Sequence, residues 1–168
     1  MTKSKYSQLP KLPKNFLTAG LTLFTLIIGF FGGSFYNQQK QSSLTTSGTV
    51  TRIIDADNIE LDNKQSVRLY AVSCQEKGEK LSQETIDYLT QIALTQKVTL
   101  DYQPIYTKDS YGRTLAYVFI NGQHLNEQLI RQGFCEVAIY KKRAKLKYQD
   151  QLLEAQDQAK SDKLGKWK

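Results

Sequence analysis

Two carboxylates stand one residue apart in the segment Asp55-Ala56-Asp57, between two stretches whose residues favour β-strands. In a tight connection such a pair can direct its oxygens at a hard cation. An ordinary acidic turn is the commoner use of this pattern. The pair by itself therefore leaves both a cation site and a plain turn open.

Two arginines and one glutamate offer a second kind of chemistry. Arg68 lies on the polar face of a predicted strand, and Glu76 follows just past the end of that strand. An arginine in a cleft suits bidentate contact with phosphate, and a glutamate can orient or deprotonate a water. Arg113 ends the segment 109–113 (DSYGR), in which Gly112 permits a tight turn into the next strand. A salt bridge or a solvent-facing arginine would explain each residue taken alone.

The third candidate is a basic run at residues 141–147 (KKRAKLK), which has five basic residues in seven positions. Such a run could follow a phosphate backbone. It could equally be a solvated connection that leads into the last helix. The residues themselves leave both interpretations open.

Short alternating strands must position these residues. Strands are predicted at 49–54, 58–61, 66–72, 98–102 and 114–120, and the last ends at the turn signal Asn121-Gly122. Helices are predicted at 81–94 with Ser82 as the N-cap, at 125–131 before Gly133, and at 144–163. This order predicts an α+β, mainly β fold: a five-stranded OB-type Greek-key barrel with three helices.

The net charge of +7 says little about the ligand of that barrel. Five of the 23 basic residues lie before residue 47, where the chain has no acidic residue. The remaining 18 basic residues almost balance the 16 acidic ones. The high isoelectric point therefore owes much to the N-terminal tail.

An uncharged, largely apolar segment over residues 15–36 precedes the barrel. Its length lies within the roughly 17–25 residues that cross a bilayer as a helix. The lysines before it predict that residues 1–14 are a basic cytoplasmic tail and that the rest lies outside. An uncleaved anchor and a signal peptide cut near residues 32–34 both remain open. The polar residues 37–47 are typical of a linker, which leaves 48–168 as the main domain.

Cys74 and Cys135 are the only cysteines, and His124 is the only histidine. These residues exclude a structural zinc site of the usual four-ligand kind. Outside the cytoplasm a disulfide becomes possible. Two separate thiols are equally compatible with the sequence.

The order of these patches resembles the staphylococcal nuclease (thermonuclease) family along nearly all of residues 48–167. The segments that carry the resemblance are VTRIIDADNIEL, VRLYAVSCQE, DSYGRTLAYVFI, NGQHLNEQLIRQG and AKSDKLGKW. The resemblance implies a calcium-dependent phosphodiesterase that acts on DNA and RNA, built on an OB-type barrel with three helices. Nucleic acid would be the substrate, the N-terminal segment would contact the membrane, and a monomer is expected.

The resemblance also implies residue roles. Arg68 and Arg113 match the catalytic arginines of the family, which would neutralise charge on the phosphate. Glu76 matches the catalytic glutamate, which would position or activate the attacking water. The residues expected to contact substrate are Tyr111, Tyr140 and Lys141.

The implied calcium site departs from the family pattern. Asp57 stands at a ligand position, but Ser73 replaces a second carboxylate, and Ala56 replaces a glycine in the metal turn. Cys74 could still offer its main-chain carbonyl. A neutral serine is a weaker ligand, so we expect a lower calcium affinity. In the nucleotide pocket, Ser110 and Ile139 replace a lysine and a tyrosine.

The resemblance places the segment after the third strand near the end of the second helix, which implies a disulfide between Cys74 and Cys135. Two functions of other classes stay open. The barrel could bind nucleic acid without cutting it, which Ser73 favours. It could also be a structural domain at the cell surface, but a barrel needs none of Arg68, Glu76 and Arg113.

Overall fold

Five strands close into a barrel in the computed structural model, which describes residues 44–76, 78–140 and 144–168. They are β1 (Ser47–Asp55), β2 (Asn58–Leu61), β3 (Ser66–Leu69), β5 (Lys97–Asp101) and β6 (Thr114–Ile120). Their order is β3-β2-β1-β5-β6, and a parallel pairing of β3 with β6 closes the barrel. The predicted mainly β, OB-type class is thereby confirmed.

Three shorter strands extend this barrel. They are β4 (Val72–Cys74), β7 (Gln123–His124) and β8 (Cys135–Val137). β7 pairs with β6 across the turn at Asn121-Gly122, where both residues have positive φ. β4 pairs only with β8, in a separate two-stranded sheet.

The predicted strand 66–72 is wrong at its end, because the chain turns at Tyr70 and Ala71. Ala71 has a φ of +63°, and the Tyr70 amide donates to the Ala116 carbonyl at 2.8 Å. Beyond this turn Val72 leaves the barrel and starts the ladder with β8. The turn carries the chain from Arg68 towards Ser73 and Glu76.

Three helices accompany the barrel: α1 (Lys80–Ala93), α2 (Leu125–Arg131) and α3 (Gln149–Ser161), followed by a 3₁₀ turn at Gly165–Trp167. α1 packs against β1 and α2 against β6, whereas α3 packs against α2 and β8. The predicted N-cap Ser82 is wrong: α1 begins after Glu79, and Ser82 is buried inside the first turn. α3 begins later than the predicted residue 144. The Gln103 side chain binds the Lys145 carbonyl and the Lys147 amide, main-chain groups that a longer helix would use.

A fully buried amide joins α2 to the barrel. The Asn126 Oδ1 accepts the Val118 amide at 2.9 Å, and the Asn126 Nδ2 donates to the Tyr70 carbonyl at 2.8 Å. Buried polar groups need such partners, because an unpaired one costs about 1–3 kcal/mol. Asn126 therefore holds the main chain just after Arg68 in place.

A second fixed contact joins the C-terminal turn to the end of α2. The Lys166 amide donates to the Gly133 carbonyl at 2.9 Å. A Cβ at Gly133 would lie 2.3 Å from the Leu164 carbonyl oxygen, and Gly133 has a φ of +72°. Only glycine allows this approach.

No helix among the described residues is long and apolar enough to cross a bilayer. The predicted tail 1–14 and the hydrophobic segment 15–36 lie outside the described residues. From the predicted linker, only residues 44–47 are described, and Ser47 already belongs to β1.

Candidate active-site cleft

A cleft of about 590 Å³ lies between the β1–β2 turn, the segment after β3 and the loop before β6. It brings together all of the predicted catalytic, metal-ligating and substrate-contacting residues that the structure describes. They are Asp57, Arg68, Ser73, Cys74, Glu76, Tyr111, Arg113 and Tyr140. Lys141, also predicted to contact substrate, lies outside the described residues, and Cys135, predicted for a disulfide, does not line the cleft.

The barrel places Arg68 and Asp57 side by side. Arg68 pairs in register with Asn58 on one side and with Leu115 on the other, so its main chain is held between two strands. Asp57 occupies the turn that joins β1 to β2, and its carbonyl accepts the Leu69 amide at 2.8 Å. Both residues thus stand on the rigid part of the molecule.

The two side chains form an ion pair between the Arg68 Nη1 and the Asp57 Oδ1, and they are only 24% and 13% exposed. Burial raises the pKa of Asp57 above its ordinary value, and the nearby Asp55 adds to this, although Arg68 and Arg113 act in the opposite direction. The positive charge already beside Asp57 therefore does not fully compensate its burial.

The loop before β6 places Arg113 opposite. The Arg113 Nε donates to the Asp109 Oδ2 at 2.7 Å, and the guanidinium carbon lies 5.4 Å from the centre of the Tyr111 ring. Partial burial acts to raise the pKa of Asp109, but hydrogen bonds from the Arg113 side chain and from main-chain amides outweigh it and hold the pKa below its ordinary value. Asp109 is therefore a stable anion beside Arg113.

Glu76 lies at the rim of the cleft with its side chain exposed. Its carbonyl accepts the Glu79 amide at 3.2 Å, where α1 begins. Two residues earlier, Cys74 forms a disulfide with Cys135 across the β4–β8 ladder. The segment that carries Glu76 is thus attached at both ends, while its carboxylate remains accessible to water.

The predicted cation ligands in the cleft are oxygen atoms: the Asp57 carboxylate, the Ser73 hydroxyl and the Cys74 carbonyl. The Cys74 sulfur is used by the disulfide. Oxygen donors suit Ca²⁺, which takes six to eight of them. Across residues 44–76, 78–140 and 144–168, no three His, Cys, Asp or Glu side chains form a metal site. The donors fit a cation held by the Asp57 carboxylate with water completing its shell, and the Asp55 carboxylate also lines the cleft.

Two exposed tyrosines border the cleft. Tyr111 is 84% exposed and Tyr140 is 46% exposed. An exposed aromatic ring offers a flat surface on which a nucleobase can stack. The position of both rings suits the predicted contact with substrate.

Sequence reasoning assigned no role to Asp109, which the structure places against Arg113. The signal for it was present in the segment 109–113. Aspartate at the first position of a turn and glycine at the fourth are typical of a type I turn, in which the aspartate side chain binds main-chain amides.

Comparison with known proteins identifies relatives over the same region. The family described as staphylococcal nuclease homologue matches residues 53–168. The thermonuclease of Staphylococcus hyicus is 34% identical over 127 residues, which cover 70% of this chain and 73% of that protein. The endonuclease YncB of Bacillus subtilis (strain 168) is 32% identical over 154 residues, which cover 79% and 71%. An uncharacterised protein of Bacillus anthracis is 34% identical over 142 residues, which span 79% of this chain and 65% of that longer protein.

Proposed function

The chain belongs to the staphylococcal nuclease family, and we propose that it hydrolyses phosphodiester bonds of DNA and RNA in the cleft described above. The family and the names of the relatives support a phosphodiester-hydrolysing enzyme. The observation that carries the proposal is that Arg68, Glu76 and Arg113, which are far apart in the sequence, line one cleft.

In this proposal Glu76 takes a proton from the attacking water, whose oxygen forms a new bond to phosphorus. The bond from phosphorus to the leaving oxygen breaks as this bond forms. Arg68 and Arg113 stabilise the negative charge that develops on the phosphate oxygens. The exposed Glu76 carboxylate suits this role, since it can receive water directly from solvent.

We propose Ca²⁺ as the cofactor, with Asp57, Ser73 and the Cys74 carbonyl as its protein ligands. When bound, such a cation supplies positive charge beside the phosphate oxygens. One carboxylate binds calcium more weakly than two, and Arg68 already contacts Asp57. We therefore expect activity that needs a high calcium concentration.

The test is cleavage of single-stranded DNA and RNA by the full chain with added calcium. We expect cleavage that a chelator abolishes and that Glu76→Gln slows by about 10²-fold or more. Glu79→Gln is the matched control: the same change at an exposed glutamate three residues on that does not line the cleft. Cleavage that Glu76→Gln leaves unchanged would overturn the mechanism.

A second candidate function, nucleic-acid binding without cleavage, is favoured by one observation: Ser73 lines the cleft at the position where the family carries a second calcium-binding carboxylate. The substitution Ser73→Asp separates the two functions. If the wild type binds but does not cut, and Ser73→Asp cuts, the natural protein is a binding module.

We also propose that the barrel acts outside the cytoplasm, either tethered or released by cleavage of the N-terminal segment. The uncharged segment 15–36 behind a lysine-rich tail supports this orientation. Protease added to intact cells should then digest the barrel, and the mass of the mature protein separates an anchor from a cleaved signal. Full protection of the barrel in intact cells would contradict the proposal.

A further inference from the structure

We propose that Asp109 is a positioning residue that holds the Arg113 guanidinium by its Nε, so that the two Nη nitrogens face the phosphate. The inference rests on the proposed function and names how one of its residues is oriented. Asp109 itself touches no reacting atom in this scheme.

Asp109 first closes the turn that carries Arg113. Its Oδ1 accepts the amides of Tyr111 and Arg113, both at 2.9 Å. Its own amide donates to the Arg113 carbonyl at 3.1 Å, and its carbonyl accepts the Gly112 amide at 3.1 Å. Asp109 therefore fixes the turn through Tyr111, Gly112 and Arg113.

The second carboxylate oxygen then orients the guanidinium. The Asp109 Oδ2 accepts the Arg113 Nε at 2.7 Å. Among the described residues, no hydrogen bond uses the Arg113 Nη nitrogens. An arginine can bind phosphate through Nε and one Nη or through both Nη groups. Because Asp109 occupies Nε, the end with both Nη groups is the one left for phosphate.

The Tyr111 ring limits the remaining freedom of the guanidinium, whose central carbon lies 5.4 Å from the ring centre. An arginine in water loses side-chain entropy when it settles on a ligand. Arg113 is already held by a carboxylate and a ring. It can therefore meet the phosphate in one orientation without further ordering.

An ordinary ion pair at the surface is the competing explanation, and it predicts no effect on catalysis. The chain offers a matched example. The Arg52 Nη2 contacts the Glu60 Oε2 at 2.9 Å, and neither residue lines the cleft. Glu60→Gln therefore removes an arginine–carboxylate pair that lies away from the site and is made through Nη2 instead of Nε.

The decisive variant is Asp109→Asn in the full chain. Asparagine retains an Oδ1 that can accept the two amides, but its NH₂ group faces the Arg113 Nε–H with a second donor. We expect kcat to fall about tenfold, with KM changed less than about twofold, since a misplaced catalytic group affects mainly the chemical step. Glu60→Gln should leave both constants unchanged.

A double-mutant cycle shows whether Asp109 acts through Arg113. Lysine has no guanidinium Nε–H that Asp109 could hold. In an Arg113→Lys background, Asp109→Asn should therefore cause no further loss of kcat. Equal losses in both backgrounds would overturn the inference. The inference would also be overturned if the wild type cuts nucleic acid and Asp109→Asn cuts with the same kcat.

A readout without substrate separates this inference from the proposed function. In a ¹H–¹⁵N spectrum of the full chain, the Arg113 Nε–H should exchange with solvent more slowly than the Arg52 Nε–H, and Asp109→Asn should abolish this protection. If the wild type cuts nothing, the proposed function fails, and the protection still decides the positioning. An Arg113 Nε–H that Asp109→Asn leaves unchanged would overturn it.

Discussion

Each side of the cleft holds an aspartate–arginine pair, but the pKa of the aspartate is raised on one side and lowered on the other. On the barrel side Asp57 contacts the Arg68 Nη1, and burial raises the pKa of Asp57. On the loop side Asp109 contacts the Arg113 Nε, and hydrogen bonds hold the pKa of Asp109 down in spite of partial burial. Asp57 has one ion-pair partner among the described residues, whereas Asp109 binds a guanidinium nitrogen and two main-chain amides.

The difference shows that an aspartate–arginine contact does not have one fixed role. Its role depends on which guanidinium nitrogen the carboxylate binds and on how many main-chain amides the carboxylate accepts. The Asp109 carboxylate accepts two main-chain amides as well as the Arg113 guanidinium. Among the described residues, the Asp57 carboxylate contacts the Arg68 guanidinium and accepts no main-chain amide. Four predictions test this contrast.

The largest expected effect is the loss of activity on removing either arginine. Arg68→Ala and Arg113→Ala should each lower kcat/KM by about 10²–10³-fold, since each removes a donor to the developing charge. Their effects on stability should differ. Arg68→Ala leaves Asp57 buried without its partner and should lower the free energy of unfolding by about 1–3 kcal/mol. Arg113→Ala leaves Asp109 with its two main-chain amide donors and should cost less than about 1 kcal/mol.

Urea unfolding of both variants beside the wild type measures this difference. A matched control is Arg52→Ala, which breaks an exposed pair outside the cleft. Equal loss of stability in the Arg68 and Arg113 variants would remove the distinction between the two sides.

The second prediction concerns the disulfide, which supports only the barrel side of the cleft. Cys74 and Cys135 are 61 residues apart, so loss of the crosslink should lower the free energy of unfolding by about 4 kcal/mol through chain entropy. The double variant Cys74→Ser/Cys135→Ser, or reduction of the wild type, should show this loss in urea unfolding. The protection of the Arg113 Nε–H on the loop side should persist.

Thiol titration of the unreduced, denatured protein is the control for that experiment. It should find no reactive thiol. Two reactive thiols would show that the natural protein lacks the crosslink.

The third prediction tests the aromatic ring on the loop side. Tyr111→Ala should raise KM for single-stranded nucleic acid about tenfold, because base stacking contributes about 1–3 kcal/mol per ring. Tyr111→Phe keeps the ring and should change KM by less than about twofold. Ile105→Ala is the control, since Ile105 is 87% exposed but does not line the cleft. Similar KM values for the alanine and phenylalanine variants would rule out stacking on Tyr111.

The smallest effect is the pH dependence of the loop side. The folded pKa of Asp109 lies below the ordinary value of 3.8, so its stabilising contribution is complete above about pH 4 and is lost as pH falls through the folded pKa. Asp109→Asn should be less stable than the wild type by up to about 1 kcal/mol at about pH 7. In urea unfolding the difference should shrink as the pH is lowered through the folded pKa of Asp109. A difference that stays constant with pH would show that the charge of Asp109 contributes nothing.

Much of the fold could be read from the sequence. The bounds of β2, β6 and α2 agree with the predicted ranges, because each has a clear alternation or helical spacing and ends at a turn signal. The order of five short strands already predicted an OB-type Greek-key barrel, and the resemblance to one family implied the same barrel with three helices. The family roles also selected residues that the structure does bring together in one cleft.

Two of the errors, at the end of the predicted strand 66–72 and at the start of α3, share one cause, which is that a distant group decided the local structure. Ala71 and Val72 continue an alternating pattern, but the chain turns there because the Tyr70 amide binds Ala116 and Val72 pairs with Val137. The start of α3 is set by Gln103, which is more than 40 residues away in the sequence. No window of neighbouring residues contains those partners.

The sequence by itself determined which chemical groups this protein has: two arginines, a glutamate, an aspartate, a serine and two cysteines. Those types set the possible chemistry, because a guanidinium or a carboxylate has the same chemistry wherever the chain places it. Only the tertiary structure decided which carboxylate contacts which guanidinium nitrogen, and that the cysteines pair. A hydrogen bond needs its two atoms to lie about 3 Å apart. Only the closing of the barrel brings residues that are far apart in the sequence to that distance.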